Sequence, residues 1–377
     1  MESRLTRLHL GGFRSIADSA VDFGDLNVLI GPNGSGKSNL IGFLRMLGFM
    51  LGSDRGLGQF VGLSGGASAL LHDGPKQTPF LSAHLTVETG RGSNDYAFRL
   101  AHAAGDRLVF LEEQCRFRAR NRDSEPPWIT LGSGGHHAPA LSEDTARQEH
   151  GRKTVATIHA LMRGLAVYQF HDTSDQARIK QLWSVSDNRY LKHDAANLAP
   201  FLLRLRENEP AVYRRIVSTI RRVAPFFDDF VLEPENDRVM LKWREQGSDE
   251  VFAAHQASDG TLRAMALITL FRQPAETMPP MIIVDEPELG LHPYAVAVVG
   301  ELIRTVAQER QVLLATQSTA FLDEFAAEDV IVSERHGRES RFQRLAPDDL
   351  SEWLEAYSLG DLWTMNVLGG RPGGRAA

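Results

Sequence analysis

A cluster of glycines with one lysine and one serine lies near the N-terminus, in the stretch GPNGSGKSN from Gly31 to Asn39. It fits the pattern G-x-x-x-x-G-K-[ST], with an apolar run before it and apolar residues at helical spacing after it. Glycines let backbone N–H groups converge on phosphate oxygens at a helix N-terminus. Lys37 would reach the β- and γ-phosphates, and the Ser38 hydroxyl would bind Mg²⁺. The stretch therefore predicts a nucleotide site, whose binding residues are Asn33, Gly34, Ser35, Gly36, Lys37, Ser38 and Asn39.

Two adjacent carboxylates follow a second apolar run, MIIVDEP. Asp285 stands at the end of this expected buried strand, where a carboxylate can orient Mg²⁺ directly or through water. Glu286 follows, and there a carboxylate can accept a proton from an attacking water molecule. The alternative is a strand that merely ends in two acids before a proline turn.

A serine and a glycine precede a third element, the helix expected in SDGTLRAMALITL. Ser258 at the N-cap, followed by Gly260, would leave backbone donors exposed toward a phosphate. Taken alone, the same residues form an ordinary capping motif, and both interpretations remain open.

These three stretches, in this order, resemble the ABC-type ATPases of the SMC, RecF and OLD branch. The opening LHLGGFRSIADSAVDFGDLNVLIGPNGSGKSN is similar to the N-terminal lobe of that group, SDGTLR to its signature motif, and DEPELGLHP to its Walker B motif and D-loop. The resemblance covers most of the chain. It implies an α/β fold: an ABC-type P-loop ATPase head with a mixed sheet, an antiparallel β lobe and an inserted helical arm. It also implies ATP and Mg²⁺ as ligands.

The resemblance further implies roles for individual residues. Arg14 and Ser15 of the F-R-S turn would lie along the nucleotide phosphates. Ser258 and Gly260 would contact the γ-phosphate held by a second subunit, so that two identical chains enclose two ATP molecules head to tail. The stretch from Glu288 to Pro293 would then run along that interface.

One position departs from the group, which usually has a histidine where LLATQST places Gln317. A glutamine amide can donate a hydrogen bond to the γ-phosphate, but it cannot become cationic. We therefore expect ATP binding to survive and hydrolysis, with Glu286, Lys37 and Gln317 as the catalytic set, to be slow. For the Q-loop of the group, Gln169 in VYQFHD is the candidate.

Composition narrows the classes of protein to which this chain can belong. Hydrophobic residues make up 42% of 377 and charged residues 24%, which is typical of a globular chain rather than a disordered one. The single cysteine, Cys115, excludes an internal disulfide and favours a reducing cytoplasm. The charged start lacks a signal-peptide core, and no run reaches the roughly 18 to 20 apolar residues of a membrane helix. The sequence thus predicts a cytoplasmic protein without a membrane partner.

We expect four segments along the chain. Residues 1–133 form an N-terminal ATPase lobe with an antiparallel meander, and residues 134–254 form a helical insertion. Residues 255–346 form the C-terminal ATPase lobe, and residues 347–377 a last helix with a flexible tail.

Two arginine sets offer contacts to nucleic acid, although the net charge of −7 shows that the chain is no polycation. The first set faces one way from an extended strand and comprises Arg116, Arg118, Arg120 and Arg122. The second set lies on the polar side of a helix and comprises Arg214, Arg215, Arg221 and Arg222. The alternative for each set is a solvated surface.

The motifs together with the resemblance predict an ATP-gated switch that hydrolyses ATP slowly as a dimer and controls a separately encoded effector. By family analogy that effector is expected to be a nuclease in bacterial anti-phage defence. No nuclease motif is found in the chain itself. The alternative is a RecF-like DNA-binding clamp for repair or recombination. A third class, the nucleotide-binding subunit of a membrane transporter, is disfavoured because SDGTLR departs from the signature motif of such subunits.

Overall fold

The computed structural model describes residues 3–53, 55–120, 125–132, 134–142 and 149–370. Contacts divide the chain into two units. The discontinuous unit comprises Met1–Ala166 and Ala326–Ala377, and the continuous unit comprises Val167–Phe325. The predicted tail after Gly370 and the residue Arg122 lie outside the described residues.

The first part of the discontinuous unit alternates strands and helices. Its strands are β1 (Arg4–Phe13), β2 (Ile16–Asp22), β3 (Leu26–Ile30), β4 (Phe80–Thr89), β5 (Gly92–Ala103), β6 (Arg107–Ala119) and β7 (Ile129–Thr130). Its helices are α1 (Lys37–Gly52), α2 (Gly56–Leu63) and α3 (Glu149–Arg163). Strand β8 (Leu165–Tyr168) leads out of this unit.

The continuous unit carries the next elements. Its strands are β9 (Trp183–Ser184), β10 (Phe227–Phe230), β11 (Arg238–Val239), β12 (Lys242–Glu245), β13 (Val251–Ala253), β14 (Met281–Asp285) and β15 (Gln311–Ala315). Its helices are α4 (Leu198–Asn208), α5 (Pro210–Val223), α6 (Asp259–Arg272), α7 (Pro293–Ala307) and α8 (Thr319–Leu322). The chain then returns to the discontinuous unit with β16 (Val330–His336), β17 (Glu339–Arg344), α9 (Ser351–Leu354) and α10 (Leu359–Thr364).

An antiparallel sheet in the order β2-β1-β4-β5-β6-β7 dominates the discontinuous unit. Alternate residues of β4 are buried, as the period of two in FLSAHLTVE predicts. Helix α1 packs on this sheet, because the ring of Phe43 lies 5.4 Å from that of Phe13 and 6.5 Å from that of Phe98. The predicted antiparallel β lobe is confirmed.

A group of strands with both parallel and antiparallel pairing includes the strand that leads into the glycine-rich loop in this unit. All five residues of β3 are buried, which agrees with its apolar composition. β3 runs parallel to β16, with Val28 opposite Val330, and β16 pairs antiparallel with β17. The loop therefore follows a strand that is paired with a strand from the C-terminal part of the chain.

The continuous unit holds the second half of the predicted motifs. β14 and β15 pair in parallel, and their apolar residues are buried. The stretch from Asn197 to Val223 forms two helices, α4 and α5, because Glu209 leaves the helical region with a φ of −136° before Pro210 begins α5.

The fold is therefore α/β with mixed and antiparallel sheets, as the sequence predicts. The four-segment division remains a prediction. Among the described helices, none combines the length and apolar character needed to cross a bilayer.

Candidate nucleotide site

The glycine-rich loop turns sharply after β3. Gly31, Gly34 and Gly36 have φ angles of +146°, +79° and +116°, a region that side chains disfavour. A Cβ on Gly31 would lie 2.2 Å from the carbonyl oxygen of Ser333, and a Cβ on Gly36 would lie 2.2 Å from Ser340 Oγ. Glycine is therefore required both by the backbone and by the close approach of β16 and β17.

Helix α1 begins at Lys37 with an N-terminus suited to an anion. Its N-cap, Gly36, contributes no side-chain hydrogen bond, and its first turn carries no acidic residue. The positive end of the helix is thus not neutralised by its own side chains. Ser38 is exposed at this end, whereas Lys37 is buried with Nζ donating to the carbonyl oxygens of Gly31 and Pro32. This donor set fits a phosphate group.

The F-R-S turn lies beside the same helix end. Ser15 Oγ accepts a hydrogen bond of 2.6 Å from Asn39 Nδ2 and lies 2.6 Å from Ser340 Oγ. Arg14 adopts a left-handed φ of +48°, and burial lowers the pKa of its guanidinium. A Cβ on Gly42 would lie 3.3 Å from Arg14 Nη1, so the guanidinium lies against α1. The structure brings the predicted Arg14, Ser15 and Asn39 together.

The C-terminal part of the chain also reaches this loop. The Gly370 N–H donates to Glu334 Oε1 at 2.6 Å, and a Cβ on Gly370 would lie 3.6 Å from Gly31 Cα. Neither Ser340, Glu334 nor Gly370 was expected here, because only the pairing of β3 with β16 brings them close.

In the continuous unit, the two predicted acids end β14. Glu286 has a left-handed φ of +46°, unusual for a residue with a side chain, and its N–H donates to the Ala315 carbonyl at 2.8 Å. Gln317 Nε2 donates to Glu286 Oε1 at 2.5 Å. Asp285 Oδ2 accepts from Gln169 Nε2 at 3.4 Å, and the Asp285 carbonyl accepts from His171 Nε2 at 2.9 Å. Each predicted acid is thus paired with a predicted amide side chain.

A third carboxylate, Glu288, belongs to the same group. Its Oε1 accepts from Thr316 Oγ1 at 2.5 Å, and its buried Oε2 has no hydrogen bond among the described residues. Burial raises the pKa of Glu288. Two consecutive residues therefore each donate a hydrogen bond to one carboxylate: Thr316 to Glu288 and Gln317 to Glu286. Sequence reasoning placed Glu288 only in an interface loop, and its pairing with Thr316 had no sequence signal.

The signature stretch forms the predicted cap. Ser258 Oγ accepts from the Thr261 N–H at 3.2 Å, and Ser258 remains exposed at the start of α6. A Cβ on Gly260 would lie 2.4 Å from the Gly290 carbonyl oxygen. The signature glycine therefore permits close packing of α6 against the D-loop.

Arg263, the last residue of SDGTLR, was not singled out from the sequence. Its guanidinium donates to the carbonyl oxygens of Phe170 at 3.1 Å, His171 at 2.9 Å and Leu289 at 3.1 Å. One side chain thereby fastens the signature helix to the D-loop and to the segment that carries Gln169.

The strand arginines do not form the expected open row of cations. Nε of Arg116 lies 2.8 Å from Asp95 Oδ2, and Nε of Arg118 lies 3.0 Å from the same oxygen. Burial acts to raise the pKa of Asp95, but hydrogen bonds from neighbours that include Arg116 hold that pKa well below its usual range. These two arginines share the predicted face, yet a carboxylate already pairs with them. Arg120 is exposed.

The helix arginines are divided. Arg221 pairs with Asp228 at 2.9 Å and Arg222 with Glu301 at 3.1 Å. Arg214 and Arg215 are exposed on α5, and neither has an ion pair within the described part of the chain. Only half of this set is thus open to a phosphate.

The phosphate loop on its mixed sheet and the acids that end β14 define an ABC-type, SMC-like P-loop ATPase. The chain belongs to the family described as "AAA domain, putative AbiEii toxin, Type IV TA system", whose model matches residues 26–323. No curated protein matches the chain.

Solved structures agree on the fold. An SMC head bound to the C-winged helix domain of ScpA is similar with a TM-score of 0.61 at 15% identity, covering 92% of this chain and 99% of that one. An SMC head with an extended coiled coil, bound to the C-terminal domain of ScpA from Pyrococcus furiosus, gives a TM-score of 0.60 at 14% identity, covering 94% and 99%. An SMC head with a coiled coil and joint from Pyrococcus yayanosii gives 0.53 at 12% identity, covering 94% and 99%. The closer likeness to the OLD branch remains a prediction.

Proposed function

We propose that this protein binds Mg²⁺ and ATP, hydrolyses ATP slowly and acts as a dimeric switch for a separately encoded effector. The observation that carries the proposal is the glycine-rich loop, which opens onto an α1 N-terminus without a capping side chain or an acidic residue.

Different residues of the chain have different roles in the proposed reaction. Lys37 and the backbone of Gly34 to Ser38 bind phosphate. In the structure Lys37 Nζ donates to the carbonyl oxygens of Gly31 and Pro32, and on binding it would donate to phosphate oxygens instead. Ser38 and Asp285 would hold Mg²⁺, which would supply positive charge against the phosphate oxygens. Glu286 accepts the proton of the attacking water, and its bond from Gln317 keeps the carboxylate oriented. Because Gln317 is neutral in every state, it stabilises developing negative charge less than a cationic group would.

Exposed features of the continuous unit support a dimer. Ser258 is exposed, and two large apolar side chains of the D-loop region, Leu289 and Tyr294, are 42% and 52% exposed. In the proposed dimer these groups face a second copy of the chain, and Ser258 with Gly260 contacts the γ-phosphate held by that copy. Loss of this phosphate on hydrolysis would separate the subunits.

Two comparisons support a separate effector. The family description refers to a toxin–antitoxin system, which is a setting of more than one component. Two of the similar SMC heads were solved with a domain of another protein, ScpA, bound to them. A nuclease in defence against phage remains our suggestion for the effector.

The test of the ATPase compares two substitutions. Glu286→Gln is expected to bind ATP with wild-type affinity and to hydrolyse it at least about a hundredfold more slowly, because the general base is lost. Lys37→Ala is expected to lose ATP binding, as measured by calorimetry with Mg²⁺. Near-normal binding by Lys37→Ala would refute the phosphate loop, and wild-type turnover by Glu286→Gln would refute the base.

A RecF-like DNA clamp is the second candidate, and it is favoured by Arg214 and Arg215, which are exposed and have no ion pair among the described residues. It is distinguished by DNA binding that requires ATP, weakens steeply with salt and is lost in Arg214→Glu/Arg215→Glu. DNA binding without these features leaves the effector switch as the better account.

A further inference from the structure

Residues 351–358, which comprise the short helix α9 and the four residues after it, form an exposed helical turn between two buried leucines. Every residue of this turn is exposed, while Leu350 before it and Leu359 after it are 7% and 5% exposed. Helix α10 continues into the core, where Leu362 is fully buried. The turn is thus held at both ends and projects its side chains into solvent.

Three large apolar side chains lie on this turn: Trp353, Leu354 and Tyr357. They are 45%, 37% and 44% exposed, and the rings of Trp353 and Tyr357 lie 6.1 Å apart. Trp363, farther along the same segment, is only 9% exposed, so the fold can bury a tryptophan here. Tryptophan and tyrosine, together with arginine, are enriched among the residues that dominate the binding energy of protein interfaces.

The segment that carries these side chains has charged residues of one sign only. From Leu345 to Gly370 the sequence contains no lysine or arginine, and its acidic residues are Asp348, Asp349, Glu352, Glu355 and Asp361. Glu352 and Glu355 alternate with the apolar side chains and are exposed. We call Glu352–Tyr357 the acidic aromatic surface.

We propose that the acidic aromatic surface is the docking site for a separate protein that presents an apolar patch bordered by lysines and arginines. Complementary charge favours such a partner and speeds its association. The same carboxylates repel nucleic acid phosphates and anionic lipid head groups. A symmetric contact between two copies would place these carboxylates against one another, which is unfavourable.

The chain segment that carries the surface leads toward the nucleotide loop within the same unit. The segment that begins with this turn ends at Gly370, whose N–H is bonded to Glu334 beside Gly31. The docking proposal does not rest on ATP hydrolysis, and a failed ATPase test would leave it standing.

The test uses the full chain with a photoreactive residue on the surface. Tyr357→p-benzoylphenylalanine is irradiated in the native host, and cross-linked peptides are identified by mass spectrometry. The matched control is Tyr190→p-benzoylphenylalanine, since Tyr190 is 54% exposed in the continuous unit. We expect one protein to be captured at position 357 and not at 190, through a peptide rich in lysine or arginine.

Substitutions then separate a specific contact from chance proximity. Trp353→Ala and Glu352→Lys/Glu355→Lys should each lower the cross-linking yield by about tenfold or more, as expected for an interface anchor. Glu250→Lys, at an exposed position of the continuous unit, should leave the yield unchanged. Thermal melting of each variant establishes that it is folded.

Four outcomes would overturn the proposal. They are no adduct above the control, an adduct within or between copies of this chain, capture of nucleic acid or of an acidic peptide, and a yield that charge reversal does not alter.

Discussion

In the proposed hydrolysis mechanism, Gln317 would set how strongly the developing negative charge is stabilised. Its amide donates to Glu286 and stays neutral, whereas an imidazole at the same position can become cationic near neutral pH. A charged donor forms a hydrogen bond about twice as strong as a neutral one. The identity of this one side chain should therefore set the turnover rate more than the affinity for ATP.

Gln317→His is accordingly expected to raise kcat for ATP hydrolysis by about tenfold, which corresponds to about 1.4 kcal/mol of barrier. The dissociation constant for ATP should change little. Phosphate release under saturating ATP measures the rate, and Gln317→Leu, which has no donor, is the control and should be slower than wild type. A histidine variant no faster than wild type would show that charge at this position does not limit hydrolysis.

Most of the candidate site could be predicted at this scale, because its motifs are short and each residue type has a definite chemical task. Gly31, Lys37, Asp285 and Glu286 were all proposed from the sequence, and their roles remain predictions. The partners of these residues were not proposed: Thr316 meets Glu288 and Ser340 meets Ser15 only through folding, and no local spacing records such pairs.

Arg263 acts at the scale of elements, since it joins α6 to two loops of the continuous unit. Three backbone carbonyls would lose a charged donor if its guanidinium were removed. We expect Arg263→Ala to lower the free energy of unfolding by about 2 kcal/mol in urea titrations. Arg214→Ala, at an exposed arginine that forms no ion pair with any residue the structure describes, should change that free energy by less than about 0.5 kcal/mol. Equal effects of the two substitutions would contradict this role for Arg263.

Elements with strong periodicity were predictable, as the alternation of β4 and the uninterrupted apolar run of β3 illustrate. For Arg116 and Arg118, the two members of the predicted arginine row that lie on β6, the common face was predicted correctly, but their pairing with Asp95 was not expected. Asp95 of β5 stands directly opposite Arg116, and cross-strand register is not encoded in either strand alone. The break at Glu209 could have been expected from Pro210, which favours the first turn of a new helix.

At the scale of the whole molecule, the proposed head-to-tail dimer depends on charge at the α6 cap. Ser258→Asp keeps an acceptor for the Thr261 N–H but adds a negative charge at the position proposed to face a γ-phosphate. Ser258→Asn also caps a helix and adds no charge. Both substitutions are made in the Glu286→Gln background, so that bound ATP persists.

Sedimentation velocity with Mg²⁺ and ATP should then show a dimer for Ser258→Asn. For Ser258→Asp the dissociation constant of the dimer should be at least about tenfold higher, about 1.4 kcal/mol in free energy. Binding of ATP to the monomer should be the same for both. Equal dimerisation of the two variants would argue against the proposed contact with phosphate.

The parallel pairing of β3 with β16 has a consequence for synthesis on the ribosome. Val28 is paired with Val330, so β3 emerges early and obtains this partner only when the chain is nearly finished. The continuous unit, by contrast, is one uninterrupted stretch and can fold while the last strands are still being translated. If translation ends before Val330, the truncated chain has an apolar β3 without its partner strand β16. Such unpaired strands promote aggregation. Prematurely terminated products are therefore expected to be cleared or to aggregate rather than to persist as partial nucleotide binders.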